Sequence, residues 1–343
     1  MKKNMCLNVP IPFGSDPNLD PFAPRIAARR SRVEQLLQKL TGNKISISDF
    51  ASGHEYFGLH KTKEKWIFRE WAPNASSITL VGDFSNWEVK EEFRLTNLDH
   101  GVKELELPAD ALHHGMHYAM LVEWPGGSGL RIPAFARKVS QDEKSRLFTA
   151  MVWEPEEKYL FKHPVPPRPG STLIYEAHPG MAQEEEKIGT FKEFREKILP
   201  KIAAGNYNTL QLMGVVNHPY YASFGYHVAN FFAIADRFGT PEEFKELVDA
   251  AHGMGSGSLL ILFTPTLSAT KLKGWRVSTA AQEPISTKGS GGSIPPGILS
   301  VSTTQRQRCS ICCFQTAASG LRSTMLTDSA LTASPVCSTL TTA

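Results

Sequence analysis

The apolar and polar positions of the chain change periodicity twice before residue 255. Between Arg25 and Leu40 the apolar residues recur every three to four positions, which predicts an amphipathic helix that packs against the next part of the chain. Its apolar side is formed by Ile26, Val33, Leu36, Leu37 and Leu40. From Tyr56 to about residue 123, short runs such as 66–71 (WIFREW) alternate in polarity between Pro, Asn and Gly turns, which is typical of a small β-sandwich.

A third pattern begins after the proline-rich segment 164–170. The run 173–178 (LIYEAH) predicts a buried strand, 208–215 predicts a second strand, and 259–263 is a candidate for a third. Apolar residues at helical spacing separate the first two strands: Phe191, Phe194, Ile198 and Ile202. This alternation of strands and helices favours a parallel α/β architecture.

A second helix is predicted to begin at Thr240, whose hydroxyl can cap it, while Glu243 completes a capping box. One apolar face is formed by Phe244, Leu247, Val248 and Ala251. Gly253 and Gly255 are expected to end the helix.

The composition changes at Ser256. From there onward the chain has seven basic and two acidic side chains, is rich in Ser and Thr, and holds four of the five cysteines, which favours a low-complexity, disordered tail. The spacing of Cys309, Cys312 and Cys313 occurs in metal sites, but such a site needs further ligands on a fold, so we predict no metal and no cofactor.

The net charge of the whole chain is +3, a weak argument for nucleic-acid binding. No stretch reaches the apolar length of a membrane span, and the first six residues are not followed by the apolar core of a signal peptide. We therefore expect a cytoplasmic protein with neither a membrane nor a nucleic acid as partner. The oligomeric state is left open by the pattern.

The segments 71–75 (WAPNA) and 81–87 (VGDFSNW) resemble the N-terminal carbohydrate-binding module of family 48, which precedes α-glucan-active barrels. An aromatic face at the tip of a turn can stack on a pyranose ring, so the resemblance implies α-glucan as a partner. Trp87 is then either such a platform or a core residue. Trp71, inside an alternating strand, is predicted to lie in the core.

Two further motifs resemble the first units of the family 13 glycoside hydrolase barrel and, among its members, the 1,4-α-glucan branching enzymes of eukaryotic type. They are LIYEAH with GMAQ at 173–183, and HPYYASFGYH with NFF at 218–232. The resemblance implies that Tyr226 lies under the sugar at the cleavage subsite. It also implies glucan contacts for Leu59, His60, Trp87, Glu88, His218 and Tyr220. The alternatives are turn packing for Leu59 and His60, and a buried tyrosine bonded to a loop carbonyl for Tyr226.

Branching enzymes cleave an α-1,4 bond and form an α-1,6 branch with retained configuration. That chemistry needs two carboxyl groups about 5 Å apart, one as nucleophile and one as general acid and base. The family places its nucleophile in a strand with the sequence FRFDG and its acid further on, and neither is present in this chain. We therefore assign no catalytic residue and predict that the chain as written is inactive.

A shifted reading frame accounts for this loss. Family members continue with IAVLIDIVHSH, HPAWDS and FRFDG, whereas this chain has other strings in the same order and at similar spacing. Read from the second base of its codons, HPAWDS gives IPPGI, the sequence of residues 294–298. The Cys-rich cluster has the same explanation, since leucine codons shifted by one base can encode cysteine.

The resulting prediction is a multi-domain chain. It has a helical segment at 1–55, an immunoglobulin-like β-sandwich module at 56–163, the first repeats of a truncated (β/α)8 TIM barrel at 164–255, and an out-of-frame tail at 256–343. Such a partial barrel exposes a sheet edge. Three functions remain open: a branching enzyme by descent with a debranching relative as its close rival, a non-catalytic α-glucan-binding fragment, or an unrelated regulator.

Overall fold

The computed structural model describes residues 17–142, 147–166, 171–254 and 258–261. The lead-in consists of a 3-10 turn and three helices: Pro17–Phe22, α1 (Ala23–Thr41), α2 (Ile47–Phe50) and α3 (Gly53–Tyr56). Gly42 closes α1 in the left-handed region, where its N–H donates to the carbonyl of Gln38. The predicted helix is confirmed, but its packing is looser than expected: no α1 side chain is buried, and Val33 is exposed.

Nine strands come next in the described part of the chain as far as residue 151. They are β1 (Gly58–Lys61), β2 (Lys65–Trp71), β3 (Ser77–Gly82), β4 (Thr96–Asn97), β5 (Val102–Pro108), β6 (His117–Trp124), β7 (Gly127–Arg131), β8 (Lys138–Gln141) and β9 (Phe148–Met151). One antiparallel sheet has the order β1-β2-β5-β4, and a second contains β8-β9-β6-β3 with β7 paired to β6. Their facing side chains, among them Phe68, Ile78 and Met120, form one apolar core, which agrees with the predicted sandwich.

Strand β2 shows how the alternation sets this core. Trp66, Phe68 and Glu70 are buried, while the residues between them are half-buried. Trp71 is therefore on the outer face, and its indole N–H donates to the carbonyl oxygen of His100 at 3.1 Å. The prediction of Trp71 as a core residue is wrong, because the two-residue period puts Glu70 in the core in its place.

The Glu70 carboxylate is enclosed in the sandwich. It accepts hydrogen bonds from the backbone N–H of Ala134 at 2.9 Å and of Trp71 at 3.2 Å. Burial raises the pKa of Glu70 to about 7, and these two hydrogen bonds only partly offset the rise. The folded chain therefore holds a proton on Glu70 more tightly than the unfolded chain does.

We expect the free energy of unfolding to fall as pH rises from about 4.5 to 7, and to level off above the folded-state pKa of Glu70. The fall is at most about 3 kcal/mol, because one pKa unit corresponds to about 1.4 kcal/mol. In Glu70→Gln the urea midpoint should depend less on pH across this window, since an amide does not titrate. Glu92→Gln, which changes an exposed carboxylate, is the control and should keep the wild-type profile. Parallel profiles for wild type and Glu70→Gln would contradict the assignment.

The second half of the described chain forms parallel β-α-β units. Its strands are β10 (Ile174–Ala177), β11 (Thr209–Leu212), β12 (Val216–Asn217), β13 (Asn230–Ala235) and β14 (Ser258–Ile261). Its helical segments are α4 (Phe191–Glu193), a π-helical turn (Phe194–Ile198), α5 (Leu199–Ala204) and α6 (Pro241–Gly253). Strands β10, β11 and β14 are parallel and adjacent in that order, as the predicted succession of strands requires.

Capping residues in the sequence account for where α4 and α6 begin. The Thr240 hydroxyl accepts from the N–H of Glu243, and the Glu243 carboxylate accepts from the N–H of Thr240, which confirms the predicted capping box. Thr190 and Glu193 form a second capping box that we did not predict. The helix α6 ends at Gly253 as expected, whereas Gly255 and most of the tail lie outside the described residues.

Strand β10 departs from its prediction. It forms where expected, but Leu173, Ile174 and Tyr175 are exposed, with Ile174 at 46%. The reason is its place at the edge of the described three-stranded sheet, whereas all four residues of the central strand β11 are buried. The apolar run thus predicts the strand correctly but not its exposure, which follows from its edge position in the described sheet.

The two halves share one sheet. Strand β13 pairs in parallel with β8, with Ile234 opposite Lys138, and β12 pairs with β13. The second sheet of the sandwich therefore has seven strands, two of which come from beyond residue 215. Phe135 stacks on Phe232 at a centroid distance of 4.3 Å beside this junction. The module thus shares its second sheet with β12 and β13 of the second half, while β10, β11 and β14 form a sheet of their own.

Candidate functional site

The turn after β3 presents Trp87 to solvent. A 3-10 turn, Asp83–Ser85, is followed by Asn86 and Trp87 with φ values of +55° and +62°. Two consecutive non-glycine residues in the left-handed region are uncommon and occur where the surroundings hold them in place. Trp87 is 41% exposed, which excludes the alternative of a core tryptophan.

Contacts on both sides of the chain fix this turn. The Phe84 ring packs against the sandwich core and lies 4.7 Å from the Phe93 ring. Gly82 has no room for a side chain, because a Cβ there would lie 2.3 Å from the carbonyl oxygen of His117. The Trp87 indole N–H donates to Asp83 Oδ1 at 3.0 Å. The indole is thereby oriented with part of its surface open.

Glu88 follows Trp87 on the same turn and is exposed. Leu59 and His60 lie elsewhere, on β1 of the four-stranded sheet, and both are half-buried. His60 Nε2 lies 2.8 Å from the carbonyl oxygen of Phe57, and Nδ1 lies 3.2 Å from an Arg137 guanidinium nitrogen. Burial lowers the pKa of His60, and the nearby Arg137 charge lowers it further. The structure therefore places the predicted module residues on two different sheets.

The loop 218–227 connects β12 to β13 and carries the remaining predicted residues. Tyr220 and Tyr226 are exposed, at 61% and 44%, so Tyr226 is not the buried tyrosine of the alternative interpretation. His218 is buried, with Nδ1 2.7 Å from the carbonyl oxygen of Val216. The carbonyl of His218 accepts from the Arg237 guanidinium at 2.8 Å. These contacts hold the base of the loop and leave its tyrosines accessible.

Two glycines set the position of this loop. A Cβ at Gly225 would lie 2.2 Å from the Cα of Gly214, and both residues have positive φ. A Cβ at Gly214 would in turn lie 2.6 Å from His178 Nε2. His178, which follows β10, is buried, and burial lowers its pKa. The loop that carries Tyr226 therefore rests directly on the ends of β10 and β11.

Sequence reasoning missed Asp83, His178 and the glycine contact between Gly214 and Gly225. An acidic residue within the GDF turn and a Gly in each loop were visible signals, but their partners lie in other segments of the chain. Among the described residues, no group of three or more His, Cys, Asp or Glu side chains is arranged to hold a metal ion. No helix of the described residues has the length and apolar character needed to cross a membrane.

Comparison with known families agrees with the sandwich. Residues 56–136 match the model of carbohydrate-binding module 48, described as the isoamylase N-terminal domain. Two solved structures share the fold of 79% of this chain: a putative alpha amylase from Salmonella typhimurium, with a TM-score of 0.59 and 19% identity, and a pullulanase from Bacillus acidopullulyticus, with a TM-score of 0.57 and 16% identity. This chain covers 42% and 37% of those two chains.

Proteins with similar sequences show which type of enzyme this chain resembles. The chain is 40% identical over 246 residues to a 1,4-alpha-glucan-branching enzyme of Dictyostelium discoideum and 42% identical over 254 residues to one of Aspergillus oryzae. A chloroplastic or amyloplastic branching enzyme of Arabidopsis thaliana is 37% identical over 266 residues. The resemblance to 1,4-alpha-glucan-branching enzymes with an N-terminal module of family 48 is thereby confirmed. These matches cover 70 to 76% of this chain, whereas the chain spans only 33 to 37% of the relatives' length.

Proposed function

We propose that this chain carries the glucan-binding front of a 1,4-α-glucan branching enzyme, and that its described residues bind α-glucan without cleaving it. The observation that supports the proposal is Trp87: it is 41% exposed on the turn of a family 48 module, and Asp83 orients its indole. An open aromatic face stacks on the apolar face of a glucose unit, while exposed polar groups such as Glu88 reach its hydroxyls.

The loop 218–227 supports a second contact region. Its Tyr220 and Tyr226 are exposed, and its Gly225 packs against Gly214, two residues beyond the carboxyl end of β11. The carboxyl ends of the strands are where substrates bind in a parallel barrel. We propose that Tyr226 supports a sugar ring there and that the buried His218 contributes by holding the loop. Leu59 and His60 would then contact glucan from β1 of the four-stranded sheet.

Trp87→Ala should remove most of the retardation of the chain during electrophoresis through a gel containing glycogen. Weak binding by the wild type is expected, because few stacking contacts form on an open surface. Val89→Ala, which truncates an exposed side chain two residues further on, is the matched control and should run like the wild type. Equal mobility of wild type and Trp87→Ala would rule out Trp87 as the platform.

The strand motif that carries the nucleophile in the family is missing from the tail. We propose that residues from about Gly255 onward are a shifted reading of the strands that carry the nucleophile and the acid in the family. The change in charge and the ordered strings at residues 294–298 and 329–332 support it. Without two carboxyl groups about 5 Å apart, a retaining glycosyl transfer does not proceed, so the chain binds but does not branch.

A further inference from the structure

Both carboxylate oxygens of Asp83 are in use. Oδ1 accepts the hydrogen bond from the Trp87 indole at 3.0 Å, and Oδ2 accepts one from the backbone N–H of His117 at 2.7 Å. His117 is the first residue of β6, which pairs with β3 immediately before the turn. Asp83 therefore connects the exposed indole to β6 of the seven-stranded sheet.

We propose that Asp83 is a positioning residue for glucan binding: it fixes the Trp87 indole in the orientation that stacks on a glucose ring. This inference rests on the proposed function of the module. It also specifies how the sugar is held. Because the indole N–H is already donated to Asp83, the sugar meets the face of the ring and takes no hydrogen bond from the indole nitrogen.

The rotational freedom of the Trp87 side chain affects how tightly a sugar binds. An exposed tryptophan on a turn samples several rotamers, and ordering it on binding weakens affinity. Here the left-handed backbone at Asn86 and Trp87 and the hydrogen bond to Asp83 order the ring beforehand. The backbone N–H of Trp87 also donates to the carbonyl of Gly82 at 2.9 Å, which holds the turn itself closed. Asp83 thus fixes the orientation of the indole ring, whereas the backbone hydrogen bond holds the conformation of the turn.

Two other roles for Asp83 give different results. If Asp83 touched the sugar directly, its removal would weaken binding whether or not residue 87 has an N–H group. If it served only the backbone through His117, its removal would lower stability and leave the affinity of the folded protein unchanged. A positioning role requires that the effects of Asp83 and of the indole N–H depend on each other.

The test is a double-mutant cycle on the full chain, with maltoheptaose affinity measured by titration and folding checked by thermal unfolding. Asp83→Ala and Trp87→Phe should each weaken binding about 3- to 10-fold, the range that corresponds to a typical aromatic contact. The double variant should be no weaker than Trp87→Phe alone, since phenylalanine has no N–H for Asp83 to hold. Glu92→Ala is the control for loss of an exposed carboxylate and should bind like the wild type.

Asp83→Asn provides the conservative rescue, because its amide oxygen can still accept from the indole. It should retain most of the affinity that Asp83→Ala loses, even where its melting temperature is lower. Additive losses in the double variant, wild-type affinity in Trp87→Phe, or wild-type affinity in folded Asp83→Ala would each overturn the inference. Absence of binding by the wild type would instead overturn the proposed function, and the inference with it.

Discussion

A fragment of residues 48–165, which contains the predicted module at 56–163 and the whole family 48 match at 56–136, is expected to aggregate or to unfold without cooperativity. The reason is that β13 completes the second sheet of the sandwich by pairing with β8. Removing it exposes a sheet edge, which is a template for aggregation, and uncovers Phe135, which stacks on Phe232. A fragment ending at residue 254 keeps these contacts and should unfold cooperatively in urea.

The junction around Lys138 supports this expectation. Its side chain is buried, forms an ion pair with Asp236 and donates to the carbonyl of Gly239 at 3.1 Å. Nearby, the Trp153 indole donates to Glu242 Oε2 at 2.5 Å. In the shorter fragment Lys138 and Trp153 lose these partners, and a buried charge without a partner is strongly destabilising.

A point variant tests the same junction within the full chain. Lys138→Ala should destabilise it by about 1–2 kcal/mol, less than the 3–5 kcal/mol typical of breaking a fully buried pair, because the Asp236 carboxylate is 40% exposed. Lys90→Ala, a change in the turn region far along the chain from this junction, is the control and should change the urea midpoint little. Cooperative unfolding of the 48–165 fragment at the midpoint of the longer one would show that β13 is dispensable.

The pattern of neighbouring residues predicted most helices and strands. It did not predict which strands pair or which side chains pack against them. The strand β2 and the capping box at Thr240 depend on neighbours in sequence, so both elements were predicted, although the face of β2 that carries Trp71 was assigned wrongly. The exposure of β10 follows from its edge position in the described sheet, and the pairing of β8 with β13 joins residues about one hundred positions apart. A boundary drawn at the proline-rich segment therefore did not anticipate the shared sheet.

The candidate site was likewise predicted only in part. Trp87 was visible as an aromatic residue at a turn tip, and its exposure agrees with the platform interpretation. Its orientation was not visible, because the hydrogen bond from His117 to Asp83 joins segments 34 residues apart. Glu70 was hidden for another reason: a charged residue in an alternating strand is assigned to the outer face, and only the backbone N–H groups of Trp71 and Ala134 make its burial acceptable.

Restoring the reading frame is expected to give the largest change of all, from no branching activity to full activity. One base inserted at the codon of Gly255 or Ser256 should replace the subsequent residues with a strand close to IAVLIDIVHSH and continue through HPAWDS and FRFDG. The new strands would add Asp and Glu at the carboxyl ends of the parallel sheet, where the family places its carboxylates. They would also cover the exposed side of β10, so soluble expression should improve together with activity.

The assay is the loss of iodine colour from amylose, since branches shorten the helices that bind iodine. The chain as written should leave the colour unchanged, and the frame-restored chain should reduce it. Changing the aspartate of the restored FRFDG strand to asparagine is the decisive control, because it removes the nucleophile but leaves the fold and the glucan-binding residues in place. Colour loss by that variant would point to a contaminating amylase. Stop codons within a few residues of the insertion, or a restored reading without these motifs, would show that the tail is native sequence and that the proposed shift did not occur.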